Sequence, residues 1–532
     1  MASFLEDLAL EALTAVLGHD EANEFLINRL VKKGRSRPHP WTTKHDYISW
    51  TGLTDRSFNS RLRRENPYPA NEALGTRRPP IVDVAALFAV QGAQRPDPKS
   101  TALFPAFAQY LTDGFIRTRI FNDSALDERK RTTSNHEIDL SPLYGRTAAQ
   151  TAVLREQPGE FGRRGRLKTD ESGVHIMPRK LFGANGKVKP EFCDPVTGAE
   201  ILDPPLGLDH AVDKASLFAV GGDRANATPA VSAINLLFLR EHNRLADKLA
   251  AANPNWDDDR VFETARNIVI VMFIKVVIEE YINHINTSVF KCRADPEAAW
   301  KADWNRPNWM TAEFSLLYRW HSLVPEVRTW GAAPLDNRPL IQDGMAGALI
   351  GVSADVAGAL GLGNTPLFVA RREEDAVKQA RLNNIDTYNN YRREMDMKPA
   401  ENFDKLVGKG KGDIPAENQR RAALAIELKR LYGTVDNVEF YVGLFAEPAN
   451  KNGPLPDLIL AMVAMDAFSQ ALTNPLLSRH IWGNADNKKL AFTAIGLEAI
   501  EDTKKLRDIL VRNSENLGDR FIGMTRRDWR RD

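Results

Sequence analysis

The segment from Asp257 to His284 constrains this chain more than any other. Asp257, Asp258 and Asp259 suit a helix N-terminus, where unpaired backbone N–H groups attract carboxylates. Phe262, Ile268, Val269, Met272, Phe273, Val276 and Val277 continue at helical spacing. The most apolar part, Ile268 to Ile278, is interrupted by Lys275 and falls far short of the roughly 20 apolar residues that a membrane-spanning helix needs. A soluble or at most surface-attached protein is expected, and 532 residues can bury a sizeable core. The end of the segment presents Glu279, Glu280, Tyr281 and His284.

Other stretches repeat the pattern. Residues 3–32 read as two amphipathic helical pieces broken at Gly18, with a basic cluster after them, Arg29, Lys32, Lys33, Arg35 and Arg37, suited to a carboxylate or a lipid headgroup. Helical periodicity recurs at 103–118, where Gln109 and Asp113 share one flank that read alone faces solvent. It recurs again at 230–252, 375–384, 416–432, 456–472, 488–493 and 500–513. Residues 38–98 and 156–213 are rich in Gly, Pro and charge, and read as loops. Strand signals are few and short. The expected fold is mainly α, one large domain with long loops, divided into an N-terminal amphipathic segment (1–40) and a catalytic domain (41–532).

Lys and Arg total 71 against 70 Asp and Glu, which gives no electrostatic reason to expect nucleic acid. Cys193 and Cys292 are too few for a disulfide framework and lack metal-ligand spacing. With no basic n-region or A-x-A-like cleavage site near the N-terminus, a cytoplasmic location is expected.

Leu316 to Pro325 sets Tyr318 and His321 three residues apart, a pair that read alone is ordinary half-buried core. If this run is helical, Tyr318 and His321 project from neighbouring positions about 5–6 Å apart at Cβ. A histidine ligating a haem iron would then hold a phenol near the haem edge.

Several motifs in one order resemble the animal-type haem peroxidase superfamily, in its fatty-acid-oxygenating, cyclooxygenase-like branch. They are His45-Asp46-Tyr47-Ile48-Ser49-Trp50, Phe107-Ala108-Gln109, Ile138 to Gly145, Leu239 to Arg244, Ile274 to Tyr281, the Tyr318–His321 stretch, Leu431-Tyr432-Gly433 with Glu439-Phe440-Tyr441, and Phe468-Ser469 with Asn474-Pro475. The resemblance implies a haem peroxidase-like helical fold. It makes His321 the iron ligand and Tyr318 the residue that becomes a radical when oxidised haem takes from it an electron and a proton. It further implies that Tyr281 orients Tyr318, that Tyr441 stands behind the ligand, and that Ser469, Trp320 and Ile282 line a substrate channel. His242 is structural in this pattern.

Departures matter equally. Asp113 stands where the family has a histidine that shuttles the peroxide proton; together with Gln109 it is the expected acid–base pair, provided burial raises the carboxyl pKa. Thr112 and Ala227 replace acids that esterify the cofactor, so haem b is expected to be non-covalent. Gly114 lacks a calcium-binding carboxylate, although Asp139 and Ser141 persist, which puts calcium in doubt. Val31 and Ser288 fall where cyclooxygenases carry a gating arginine and tyrosine.

The expected activity is haem-dependent oxygenation of unsaturated fatty acids by O₂ through a tyrosyl radical, giving hydroperoxy or hydroxy fatty acids. Peripheral membrane contact through the N-terminal helices would fit. A peroxide-driven epoxidation or hydroxylation using Asp113, and a haem-binding protein of weakened activity, are the alternatives.

Overall fold

The computed structural model describes residues 4–31, 61–64, 66, 78–118, 132–157, 162–211, 213–305, 310–408, 415–513 and 517–531. A helical hairpin forms its centre. Thr228 caps the Pro229–Ala252 helix by accepting from the Val231 N–H, and Pro229 occupies a first-turn position where its missing N–H costs nothing. Asp257 caps Asp258–Val276 by accepting from the Arg260 N–H at 2.8 Å. Each helix buries a broad apolar face, with exposed charges such as Asp247 and Lys248 on the first and Asp259, Arg260 and Glu263 on the second. Leu236, Leu237, Phe238, Ile268, Val269 and Ile270 have no solvent exposure.

Other helices wrap this pair. Leu103–Asp113, Arg338–Ala354 and Leu506–Asn513 pack on its first member, and Ala485–Glu501 on its second. Gly496 permits the latter approach, since a Cβ there would lie 2.4 Å from Ile268 Cδ1. Strands are minor: Pro96–Thr101 pairs antiparallel with Val356–Gly358, and Thr169–Asp170 with Met177–Pro178. The fold is thus mainly α, as the periodicity predicts.

The single helix expected from 257 to 284 has an insertion near its end. It widens into a π-turn at Val277–Ile282 before the short Asn283–Ile285 helix. The extra residue per turn rotates the residues after it, a device common at functional sites. It places Tyr281 in the core against Phe104 and Phe107, with ring centroids 5.6 and 5.5 Å away.

Sequence periodicity missed the Ile81–Ala86, Arg338–Ala354 and Phe440–Ala446 helices. In Arg338–Ala354 the pattern is diluted by Gly344, Gly347 and Gly351, and Gly344 kinks the helix at φ 69°. Residues 375–384 begin earlier than expected, as Leu367–Leu382, and 488–493 belongs to a helix kinked at Thr493.

At the N-terminus, Phe4–Leu17 and His19–Leu30 form the expected pair of helices. Ala22, Ile27 and Val31 are buried in the same contiguous core as the central hairpin, while Val16, Leu17 and Phe25 are exposed. Lys32, Lys33, Arg35, Arg37 and the His45–Trp50 motif lie outside the described residues. No helix among the described residues is long and apolar enough to cross a membrane.

Candidate active site

The stretch holding Tyr318 and His321 is not one helix, which corrects the expectation from its spacing. Thr311 caps a helix, Ala312–Leu317, that stops at Tyr318 (φ −88°, ψ 10°). The Arg319 N–H still reaches Leu316 O at 3.1 Å, but the Trp320 N–H turns back to Tyr318 O at 2.9 Å. Trp320 (φ −86°, ψ 48°) then leads into a 3-10 turn, His321–Leu323. The course after the turn is fixed from outside the segment. Gln94 Nε2 donates to Ser322 O (3.0 Å) and Val324 O (2.8 Å), and its Oε1 accepts from the Glu326 N–H at 2.7 Å. Gly358 lets a strand pass close by, since a Cβ there would meet Ser322 O at 2.2 Å. These tertiary hydrogen bonds hold the chain after the break in its non-helical course.

The broken turn forms one wall of a cavity of about 820 Å³, near the upper end of ordinary cofactor sites at roughly 1,000 Å³. Tyr318, Arg319, Trp320 and His321 all line it. Gln109 and Thr112 line it from the Leu103–Asp113 helix, and Arg224 and Ala227 from the segment before the Pro229–Ala252 helix. Gln109 therefore faces the interior, not solvent.

The His321 ring is held from behind. Its Nδ1 lies 3.1 Å from Glu373 Oε1, which leaves Nε2 for the cavity side. Tyr441 reaches the histidine only through that carboxylate, its hydroxyl donating to Glu373 Oε2 at 2.6 Å. Glu373 went unnoticed in the sequence because it sits on the Leu367–Leu382 helix, 52 residues from its partner.

Tyr318 is 8 % exposed and stacks on Trp320, with centroids 4.6 Å apart. Burial raises its phenol pKa well above the usual value, against the opposing influence of Tyr281. The Tyr281 hydroxyl is a close neighbour of Tyr318 but has no partner in hydrogen-bond geometry. Ser469 and Ile282 are buried away from the cavity lining, and Ser469 Oγ donates to Asp466 O at 3.1 Å.

Asp113 is 2 % exposed and stands behind the lining. Its Oδ2 accepts from the Arg224 N–H at 3.3 Å, and Oδ1 lies 3.7 Å from Arg117 Nε. Burial pushes its pKa up to about 7, aided by Asp223 and opposed by Arg117 and Arg224.

Arg319 and Arg328 line the same cavity, and the Nε of each is buried without a hydrogen-bond partner. With Arg224 and Arg372 they make the cavity strongly cationic against one lining carboxylate, Asp375. Spacing along the sequence gave no sign of this cluster. Elsewhere, His242 is fully buried between Tyr144 Oη (3.0 Å) and Gly165 O (2.9 Å), and burial lowers its pKa to about 3. That fits a neutral structural residue. Asp139 accepts from the Ser141 N–H at 2.8 Å and from Asn135 Nδ2, so both its oxygens have protein partners.

A sequence model of the family described as animal haem peroxidase matches residues 114–332 and 376–522. Prostaglandin G/H synthase 1 of Rattus norvegicus is 28 % identical over 474 residues, covering 86 % of this chain and 72 % of that protein. Among solved structures, Peroxidase A from Dictyostelium discoideum superposes with a TM-score of 0.67 at 18 % identity, over 91 % of this chain and all of that one. The Oryza sativa fatty acid alpha-dioxygenase gives 0.68 at 16 % identity, over 96 % of this chain and 94 % of that one.

Proposed function

The chain belongs to the animal haem peroxidase family, and from that premise we propose that it oxygenates unsaturated fatty acids with O₂, Tyr318 carrying the radical. The observation that bears most weight is that Tyr318 and His321 line one large cavity from a single broken turn. Similarity to a prostaglandin synthase and a fatty acid alpha-dioxygenase supports the substrate class.

The cavity suits haem. It offers an imidazole whose Nδ1 is occupied on the far side, and buried guanidinium nitrogens of Arg319 and Arg328 that lack partners and match propionate oxygens. Haem bound there would supply one-electron oxidation. Thr112 Oγ1 donates to its own helix at Ala108 O (2.8 Å), and Ala227 has no carboxyl, which supports a non-covalent cofactor. The partners of Asp139 weigh against calcium.

Tyr318 enters the reaction as a neutral phenol, because burial opposes its ionisation. On losing an electron and its hydroxyl proton it becomes a neutral radical held between Trp320 and Tyr281. That radical takes a hydrogen atom from an allylic or bis-allylic C–H, restoring the O–H bond. O₂ adds to the carbon radical, and the Tyr318 O–H gives its hydrogen atom to the peroxyl oxygen, forming the hydroperoxide and restoring the tyrosyl radical. Gln109 lines the same cavity, where its side-chain amide can donate a hydrogen bond into the site. Asp113 accepts from the Arg224 N–H behind the lining, a placement that favours a supporting role over the acid–base role a peroxide-driven epoxidation needs. Exposed Val16, Leu17 and Phe25 support peripheral membrane contact.

Oxygen uptake with linoleate, and products from labelled O₂, test the reading. Incorporation from O₂ that disappears in Tyr318→Phe is expected. Peroxide-dependent oxidation that survives Tyr318→Phe would replace it with the peroxygenase, and bound haem with no product from either oxidant would leave a binding protein.

A further inference from the structure

The resemblance places a tyrosine directly behind the iron-ligating histidine. In this chain a carboxylate stands between them. Glu373 is 1 % exposed, and its two oxygens meet three side chains: His321 Nδ1 at 3.1 Å, Thr365 Oγ1 at 2.9 Å and Tyr441 Oη at 2.6 Å. The two hydroxyls donate, so the carboxylate acts as acceptor on both oxygens. A carboxylate beside an imidazole accepts the Nδ1 proton in a hydrogen bond, fixes that tautomer and raises the basicity of the other nitrogen.

Such a buried acid is normally a burden, because an uncompensated carboxylate loses its hydration. Here the requirement is met within a few ångströms: two hydroxyls and an imidazole N–H saturate it. Three elements that are distant in sequence converge to build this arrangement: the turn after Leu317, the Leu367–Leu382 helix and the Phe440–Ala446 helix. Phe88 stacks on Tyr441 at 5.1 Å and fixes its ring.

The geometry points to Glu373 as the positioning residue that tunes the iron ligand, with Tyr441 and Thr365 orienting Glu373 in turn. It holds His321 with Nε2 toward the cavity and makes it an electron-rich donor, which favours the higher oxidation states of a bound iron. This inference rests on His321 being the ligand. Tyr441 influences the metal only through the carboxylate, so its removal has a smaller effect of the same sign.

The test compares the wild type with Glu373→Gln, Glu373→Ala, Tyr441→Phe and His321→Ala, each reconstituted with haem. Readouts are haem content, the iron–histidine stretching band of the ferrous protein and the midpoint potential. Glu373→Gln, which keeps shape and loses charge, should retain haem, lower the stretching frequency and raise the potential. Tyr441→Phe should shift both less and in the same directions. A wild-type band that vanishes in His321→Ala yet stays unmoved in Glu373→Gln and Glu373→Ala overturns the role of Glu373 alone. A band that survives His321→Ala overturns the ligand assignment itself. Nitrogen-15 spectra of His321 in haem-free protein supply an independent check: loss of the Nδ1–H tautomer preference in Glu373→Ala, which removes the acceptor, is expected, and an unchanged spectrum counts against the inference.

Discussion

The Tyr318 and Trp320 rings stack at 4.6 Å with an interplanar angle of 26°, two residues apart in a chain that reverses between them. The Trp320 N–H bond to Tyr318 O folds the backbone so that both rings face one way, and Phe104 covers the indole at 5.7 Å. Trp320 Nε1 is buried with no partner, so the indole serves by shape, at the expense of an unpaired donor. Trp320→Phe should therefore unfold in urea within about 1 kcal/mol of the wild type, since the stack survives and the orphan N–H is gone. Trp320→Ala should lose about 3–5 kcal/mol and broaden the electron paramagnetic resonance signal of the Tyr318 radical as its ring loosens.

A second expectation concerns Arg319. Burial, with Arg224 nearby, lowers its pKa to about 10, and its Nε has no partner. Such a guanidinium strains the empty protein and binds an anionic cofactor. Arg319→Met should raise the melting temperature of the haem-free protein. It should also weaken haem affinity at least tenfold and reduce the stabilisation haem provides, because ligand stabilisation scales with the ratio of concentration to dissociation constant. Thermal melts with and without haem separate the two effects; a drop in the haem-free melt would count against a strained Arg319.

How much of the fold and the site is legible in the sequence depends on the reach of each interaction. The central hairpin is legible, because Thr228, Asp257 and the apolar periodicity act within a few residues. Tyr318 and His321 are singled out by the ordered family motifs on either side of them, whereas local periodicity alone reads them as core. The course of the chain after them is not legible, since Gln94 and Gly358 fix it from 228 residues upstream and 36 downstream of Ser322. Gln109 and Asp113 share a helix flank in sequence, yet one faces the cavity and the other the Arg224 segment. Glu373 reads as one more charge on a solvated helix. Periodicity reports which face is apolar, not which charged residue on the other face meets a distant histidine.

Buried acids give a pH expectation. Glu137 is buried with Oε2 unpartnered, and burial, with Asp139 nearby, pushes its pKa up to about 8. Its folded pKa exceeds its unfolded one, so the protonated form favours the fold. That stability is fully present below about pH 4.3 and is lost as pH rises through about 8. Glu137→Gln should thus gain stability over the wild type on the order of a few kcal/mol at pH 9 and little at pH 4. A difference between the two proteins that does not change with pH would show that Glu137 ionises normally in the fold.

The far wall of the cavity is tied to its backbone at Gly222. A Cβ there would lie 2.3 Å from Asp113 Oδ2 and 3.1 Å from Pro142 Cα. Gly222→Ala must therefore displace the Asp113 carboxylate from the Arg224 N–H, at about 1–3 kcal/mol for overpacking. Arg224 lines the cavity, so haem occupancy should fall as well. Shortening the obstructing side chain removes the clash: Gly222→Ala with Asp113→Ala should be less destabilised than the sum of the single variants, since the residues share one space. Strict additivity in urea unfolding would mean that Gly222 is needed for some reason other than its contact with Asp113.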